Sequence, residues 1–395
     1  MRLATSSLSC LASTTIALVI LCSEGGLASS PYRRIIFGLS CGDILQSLGI
    51  FTGPFASPID TPNAIWAVGN TQSCDTAGFI LSLGGSMIPL YTFFLSFYFL
   101  LRVKYQMTRL EFAKRVEWKI HAFFILLSMT GAVTKLSTGS YNASRAGSLC
   151  VTSAYPLACD TNPEIGECTR GKHAMKLLVA FFYVPSFLSF VGMCICLGML
   201  TQYVYVQESR LTIAMSFQTE EGPRHSIWSK IYCCMRIVEE DATEEVLSRG
   251  QRIHRARANL RYFCQETLVQ SGLYIGAYFS TYVFLFVWMF MTVAGVTNQQ
   301  WTFLAISLTW PLGGLFNMLV YTRPKIAILK AINPTYSWMI LFFKVVLAGG
   351  EVPDEINLNP QVLSVDLSRV EEEDVDDESM FPVFISEGES TSTRA

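Results

Sequence analysis

The sequence predicts an all-α integral membrane protein: a seven-transmembrane-helix bundle with its N-terminus outside and its C-terminus inside. Three observations predict it. Seven mostly apolar stretches, near residues 5–23, 33–53, 78–101, 120–137, 177–201, 269–294 and 300–321, each approach the roughly 20 residues that a helix needs to cross a bilayer core. The Lys and Arg between them sort to one side. Four cysteines fall on the other side, where disulfides form. Backbone polar groups in hydrocarbon must be satisfied within the segment, so apolar runs of this length are helices rather than loops. The 395-residue chain is 51% hydrophobic and only 15% charged, well below a soluble protein.

The first stretch has two readings. Met1-Arg2, the apolar run Ala12–Leu21 and the small residues near Ala28-Ser29 also fit a cleaved signal peptide. Parity favours a span, because cleavage would leave Arg33 and Arg34 outside. Helix two carries Asp43, the only acidic residue well inside any window. A lone carboxylate there costs about 2.5–3.5 kcal/mol on insertion scales, so it should face the bundle interior. Helix three contains Gly84-Gly85 and Pro89, and helix four has His121 and Lys135 at its two ends. Residues 238–262 are charged and extend helix six inward. Helix seven carries Pro311 beside Gly313-Gly314, where a missing backbone donor permits a kink. Beyond it, Pro324–Ala331 and Trp338–Leu347 are too short to span and lie along the inner interface.

Charge sets the orientation. With the N-terminus outside, the inner segments through Lys330 hold 20 Lys and Arg and the outer segments six, a strong positive-inside bias. Residues 351–395 hold 13 of the 31 acidic side chains and 2 of the 29 basic ones. This acidic, Ser- and Thr-containing tail has the composition of a disordered cytoplasmic segment. The expected organisation is a bundle over 1–323, an interfacial helical region over 324–348 and the tail over 349–395.

Cysteines and one sequon agree with that orientation. Cys74, Cys150, Cys159 and Cys168 fall in outer segments. Four cysteines permit three pairings; the favoured one joins Cys74 to Cys150 and Cys159 to Cys168. The glycosylation sequon at Asn142 lies in the same outer loop.

Much chemistry is absent from the sequence. The spans lack the several buried acids, bases or histidines of a proton relay, and no inverted repeat of broken helices is evident. The window Trp301–Tyr321 has no lysine for a retinal Schiff base. No Walker loop, HExxH, GxSxG or zinc-spaced Cys/His cluster occurs. An enzyme, a cofactor and a nucleic-acid partner are therefore not expected; membrane lipid is.

Several strings resemble the G-protein-coupled receptors, in particular the slime-mould cyclic-AMP-receptor-like group and its diatom and protist relatives. Helix two reads Tyr32-Arg33-Arg34 and then Gly38-Leu39-Ser40-Cys41-Gly42-Asp43, similar to Y-x-R…GLSxxD. Helix three opens at Cys74, passes Pro89-Leu90-Tyr91 and closes near Arg102-Val103-Lys104-Tyr105. Helix four opens at Glu117-Trp118-Lys119. Helix seven ends Pro311-Leu312-Gly313-Gly314 through Asn317, Val320-Tyr321 and Arg323-Pro324, similar to PLxGxxNxxVYxRP. The order of these strings covers about 320 residues. Cys150-Val151 departs from the group's Cys-Trp, and the Asp-Arg-Tyr signature of rhodopsin-like receptors is absent.

The resemblance implies a cell-surface receptor that binds an extracellular ligand and activates a heterotrimeric G protein. It implies a polar switch network of Asp43, Asn317 and Tyr321. It also implies an inner face of Arg102, Lys104, Arg257, Arg261 and Arg323, with Lys325, turned to the G protein. A topological and headgroup role for these cations stands beside that one. The competing functions are a seven-helix transporter or channel and a non-signalling adaptor. Cyclic AMP is not implied as the ligand, because no phosphate-binding arrangement is identifiable.

Overall fold

The computed structural model describes residues 2–23, 25–61, 66–144, 149–156, 159, 166–220, 245–294, 296 and 300–347. The side chains of 208, 210–220, 245–264, 293 and 332 lie outside that description. Seven helices are long and apolar enough to cross a membrane: α1 Arg2–Cys22, α2 Pro31–Ala56, α3 Thr71–Val103, α4 Arg109–Ser137, α5 Ala174–Gln207, α6 Gln265–Thr292 and α7 Gln300–Ala331. A shorter apolar helix, α8, spans Trp338–Leu347. The chain is a multi-pass membrane protein. Among the described residues there is one sheet, a short antiparallel hairpin of β1 (Tyr141–Ala143) and β2 (Cys150–Thr152). The acidic tail from 349 lies outside the described residues. The chain divides into two units, and the bundle is the first, residues 1–206 and 263–356. The second, residues 207–262 and 357–395, is described only through helical backbone continuing α5 to Glu220 and beginning α6 at Glu245.

Local sequence explains where the helices begin. Ser30 caps α2 with Pro31 in the first turn, a position that has no backbone donor to lose. Asn70 and Ser73 form a capping box on α3, and the Thr108 side chain caps α4. Two helices contain a wide turn of π type, Ala113–Glu117 in α4 and Val179–Tyr183 in α5. In α7 a 3-10 turn at Trp310–Leu312, led by Pro311, separates Gln300–Thr309 from Gly313–Ile332.

Between helices in lipid there is no hydrophobic force, so small residues that admit close contact decide packing. At the α2–α3 seam a Cβ on Gly38 would enter the Tyr91 ring, and one on Gly49 would lie 2.6 Å from Leu81 Cβ. A Cβ on Gly42 would come within 3.2 Å of Met87 Cβ. Gly38 and Gly42 thus serve packing. The α1–α7 seam is polar. The second part of α7 begins at Gly313, so the Gly314 N–H is a first-turn donor without an intrahelical acceptor. Ser9 Oγ of α1 accepts it at 2.9 Å, and Arg2 Nε donates to Ser307 Oγ at 2.6 Å. These contacts build α1 into the wall of the bundle.

Helix α7 runs through Pro324 without a break, so residues 324–331 continue the helix of the seventh candidate span. Leu341 and Val345 of α8 then pack on Ile326 and Leu329 of that continuation.

Candidate functional site

The middle of the bundle holds the expected acid. Asp43 is 1% exposed, and Asn317 Nδ2 of α7 donates to its Oδ2 at 2.7 Å. The other oxygen, Oδ1, has no hydrogen-bond partner and lies 3.4 Å from where a Cβ on Gly313 would stand. Glycine at 313 therefore lets the broken segment of α7 approach the carboxylate. A cavity of about 10 Å³ adjoins Asn317 and Gly313, near the least space that admits one water.

One turn outward, five helices converge. Gln46 of α2 lies on the Asp43 face, and its Nε2 reaches Trp310 O at 3.4 Å. The space above Gly85 of α3 is bounded by Gln46 Oε1, Phe182 of α5 and Trp310 of α7. Tyr282 of α6 directs its hydroxyl to Gly85 O at 3.4 Å and stacks on Phe182 with centroids 6.3 Å apart. Gln46 Oε1 and Trp310 Nε1 are buried without hydrogen-bond partners. The wide π turn of α5 and the tight 3-10 turn of α7 both meet here, and irregular turns of these kinds recur at functional positions. Buried polar atoms beside two irregular helices can hydrogen-bond a small ligand or repack when one arrives. The sequence reading did not foresee this convergence. Its signal was Gln46, a polar side chain three residues after Asp43 in an apolar run.

The end of the bundle that carries the hairpin is cross-linked. Cys74 is bonded to Cys150 across 76 residues, and Cys159 to Cys168, the favoured pairing. The Tyr141 hydroxyl donates to Ala132 O at 3.1 Å, and burial pushes its pKa up, so it stays a neutral donor. Asn142 of the sequon is 8% exposed, and its Nδ2 donates to Gly139 O and Ser153 O at 3.1 and 2.7 Å. Both amide hydrogens are used inside the loop. A glycan on Nδ2 would take the place of one of these hydrogens.

Toward the inner end the expected network divides into layers. Tyr321 lies one turn beyond Asn317 and stacks on Tyr32 of α2, with centroids 6.4 Å apart. The Tyr32 hydroxyl in turn meets that of Tyr274 of α6 at 3.4 Å. Gln270 of α6 donates to Val320 O at 2.8 Å. Nearby, Arg34 grips Glu117 with two bonds of 2.5 and 2.8 Å. His121 lies 3.6 Å from the same carboxylate and bonds the Tyr91 hydroxyl at 2.9 Å. This four-residue cluster joins α2, α3 and α4. In the sequence Arg34 stands out only as a topology charge and Glu117 only as part of the helix-four string.

The cations expected on the inner face have varied surroundings. Arg102 donates to Met107 O at 2.9 Å, closing the α3–α4 turn. Lys104 and Lys325 lie over the rings of Tyr105 and Tyr321, at 5.7 and 6.0 Å. Arg323 is paired with Glu266 of α6. Arg257 and Arg261 sit on helical backbone, and their side chains lie outside the described residues. Among the described residues no cluster of His, Cys, Asp or Glu could hold a metal ion.

No family model matches the sequence, and no curated protein matches it. Among solved structures, squid rhodopsin is similar over 91% of this chain and 88% of its own, with a TM-score of 0.54 and 13% identity. At that identity the likeness is one of fold: the chain folds as a rhodopsin-like bundle of seven membrane-spanning helices.

Proposed function

We propose that this chain is a cell-surface receptor of the G-protein-coupled type, related to the cyclic-AMP-receptor-like group by the strings in helices two, three and seven. In this reading its N-terminus is outside, its C-terminus and acidic tail are in the cytosol, and an extracellular ligand shifts the bundle toward a state that activates a heterotrimeric G protein. The observation that carries the reading is the Asp43–Asn317 hydrogen bond, set directly against the broken turn of α7. A ligand that moves Trp310 moves the helix start at Gly313, and with it the Asp43 contact. Tyr321 and the Arg323–Glu266 pair lie further along the same helix, at the end where the partner would dock. Such a ligand acts by its different affinity for the two packings.

The test is Asp43→Asn. Guanine-nucleotide exchange on purified G protein is driven by an agonist found in a ligand-library screen with a second-messenger readout. The variant should reach the cell surface in normal amount and lose at least about fivefold in agonist-driven exchange, the low end of measured coupling between sites. Unchanged exchange removes Asp43 from the mechanism. Solute flux through reconstituted vesicles, with no exchange under any agonist, rejects the receptor.

A further inference from the structure

Two cations and one carboxylate share a column on the outer half of α3. Asp75, Gly78 and Ser82 recur at helical spacing on one face. Asp75 accepts from Arg170 Nη2 with both oxygens, at 2.7 and 3.0 Å. Gly78 lies beneath the Tyr141 ring, where a Cβ would come within 2.7 Å of Cδ1. Ser82 Oγ accepts from Lys135 Nζ of α4 at 2.8 Å. Lys135 is 1% exposed. Among the described residues it has no ion pair, and the one carboxylate of the column is spent on Arg170. An ammonium has three donors, so Ser82 leaves two without acceptors. Burying a charge is costly unless it is paired. The last-turn position of Lys135 on α4 supplies the negative end of a helix dipole, which is only a fraction of a charge.

We propose that Lys135 anchors an anionic group, a carboxylate or a phosphate, on the ligand of this receptor. The word ligand rests on the receptor reading; the anion site does not. The group enters from the outer face past Arg170 and completes the unused donors of Nζ. Lys135 is covered, so entry displaces the Tyr141 ring from above Gly78. Binding is thereby coupled to the hairpin, which the Cys74–Cys150 bond ties to the start of α3.

The test uses the full chain in phosphatidylcholine nanodiscs, with thermal unfolding followed in chloride and then in inorganic phosphate or acetate at matched ionic strength. One of these anions should raise the wild-type midpoint by about 2 °C or more, as a ligand specific for the folded state does. Lys135→Met should show no rise, and in chloride its midpoint should equal or exceed that of the wild type, because the uncompensated charge is gone. Lys135→Gln carries the comparison if the Met variant does not accumulate. An absent wild-type rise overturns the proposal, and so does an equal rise in the variant. A variant midpoint below wild type in chloride also overturns it, by making Lys135 structural. A rise produced only by phosphatidylglycerol in the nanodisc overturns the ligand assignment in favour of a lipid headgroup. None of these readings involves a G protein, so failure of the receptor reading would appear in the exchange assay alone.

Discussion

Helices α2 and α3 differ in kind from α5, α6 and α7. The apolar windows of α2 and α3 are 61% and 72% buried, against 28% for α5 and 33% for each of α6 and α7. The first pair meets through glycines that leave no room for a methyl group, is joined to α4 by the Arg34–Glu117 cluster, and is closed outside by a disulfide. The second group contains the π turn of α5 and the 3-10 break of α7, whereas the π turn on the scaffold side, Ala113–Glu117 of α4, ends at the carboxylate that pairs with Arg34. The second group is held by single contacts, such as Gln270 to Val320 O and Tyr278 to Ser186 O. Interiors packed to crystal density respond to strain as blocks, so a ligand shift is expected to concentrate in the second group. One side is scaffold, and the other adapts.

The largest effect is expected where the scaffold is charged. Glu117→Gln keeps the shape of the side chain and leaves Arg34 without its counter-charge. Breaking a buried pair costs about 3–5 kcal/mol. Arg34 is 29% exposed and keeps some access to solvent, so a loss of about 2–3 kcal/mol is expected. Thermal unfolding of the purified variant measures it. The exchanged pair Arg34→Glu with Glu117→Arg should recover part of the loss. A cost below about 1 kcal/mol, the range of surface pairs, would put this joint on the same footing as those of α5–α7 and erase the contrast.

An intermediate effect is expected at the outer cap. Asn142→Gln adds a methylene and moves the amide from Gly139 O and Ser153 O. Two neutral hydrogen bonds contribute about 1 kcal/mol each. The hairpin stays pinned at the Ala143↔Cys150 rung by the disulfide, so a loss of about 1 kcal/mol in unfolding free energy is expected. Glycosidase treatment of the wild-type protein should leave its electrophoretic mobility unchanged. A mobility shift that Asn142→Gln abolishes would return Asn142 to the role the sequon suggests and remove it from the cap.

The scaffold was easier to read from sequence than the adaptable side. Apolar runs announce spans one by one, and Asp43 stands out because a carboxylate in hydrocarbon needs no alignment to be noticed. Counting cysteines on one side announced two disulfides but left three pairings, of which the fold makes the favoured one. Pairings between distant residues leave no local trace: Arg34 and Glu117 are 83 positions apart; alone, Arg34 reads as a topology charge and Glu117 as the start of helix four. The charged stretch 109–119 hid the first turns of α4, because it lowers hydropathy without ending the helix. Pro324–Ala331 read as a separate short stretch, yet proline within a membrane helix is tolerated where neighbours satisfy the freed carbonyl, and the helix continues through it. The five-helix convergence was illegible because it depends on where two irregular turns fall, and a π turn has no composition of its own.

The smallest expected change in stability tests the adaptable side most directly. Glu266→Gln removes the carboxylate that pairs with Arg323 and so loosens α6 from α7. The two side chains are 21% and 32% exposed, and pairs of that kind contribute at most about 1 kcal/mol. The unfolding free energy should therefore stay within about 1 kcal/mol of wild type. The same quantity applied to an equilibrium between two packings is a factor of about five. Under the proposed function, basal nucleotide exchange should then rise by up to about fivefold. Reversing the pair, Glu266→Arg with Arg323→Glu, should bring exchange back to its basal level. A stability loss above about 2 kcal/mol with no change in exchange would mean that α6 and α7 are welded as firmly as α2 and α4. The site of movement would then have to be sought at the α5 turn, where Val179–Tyr183 faces Gly85 and Tyr282 across the convergence.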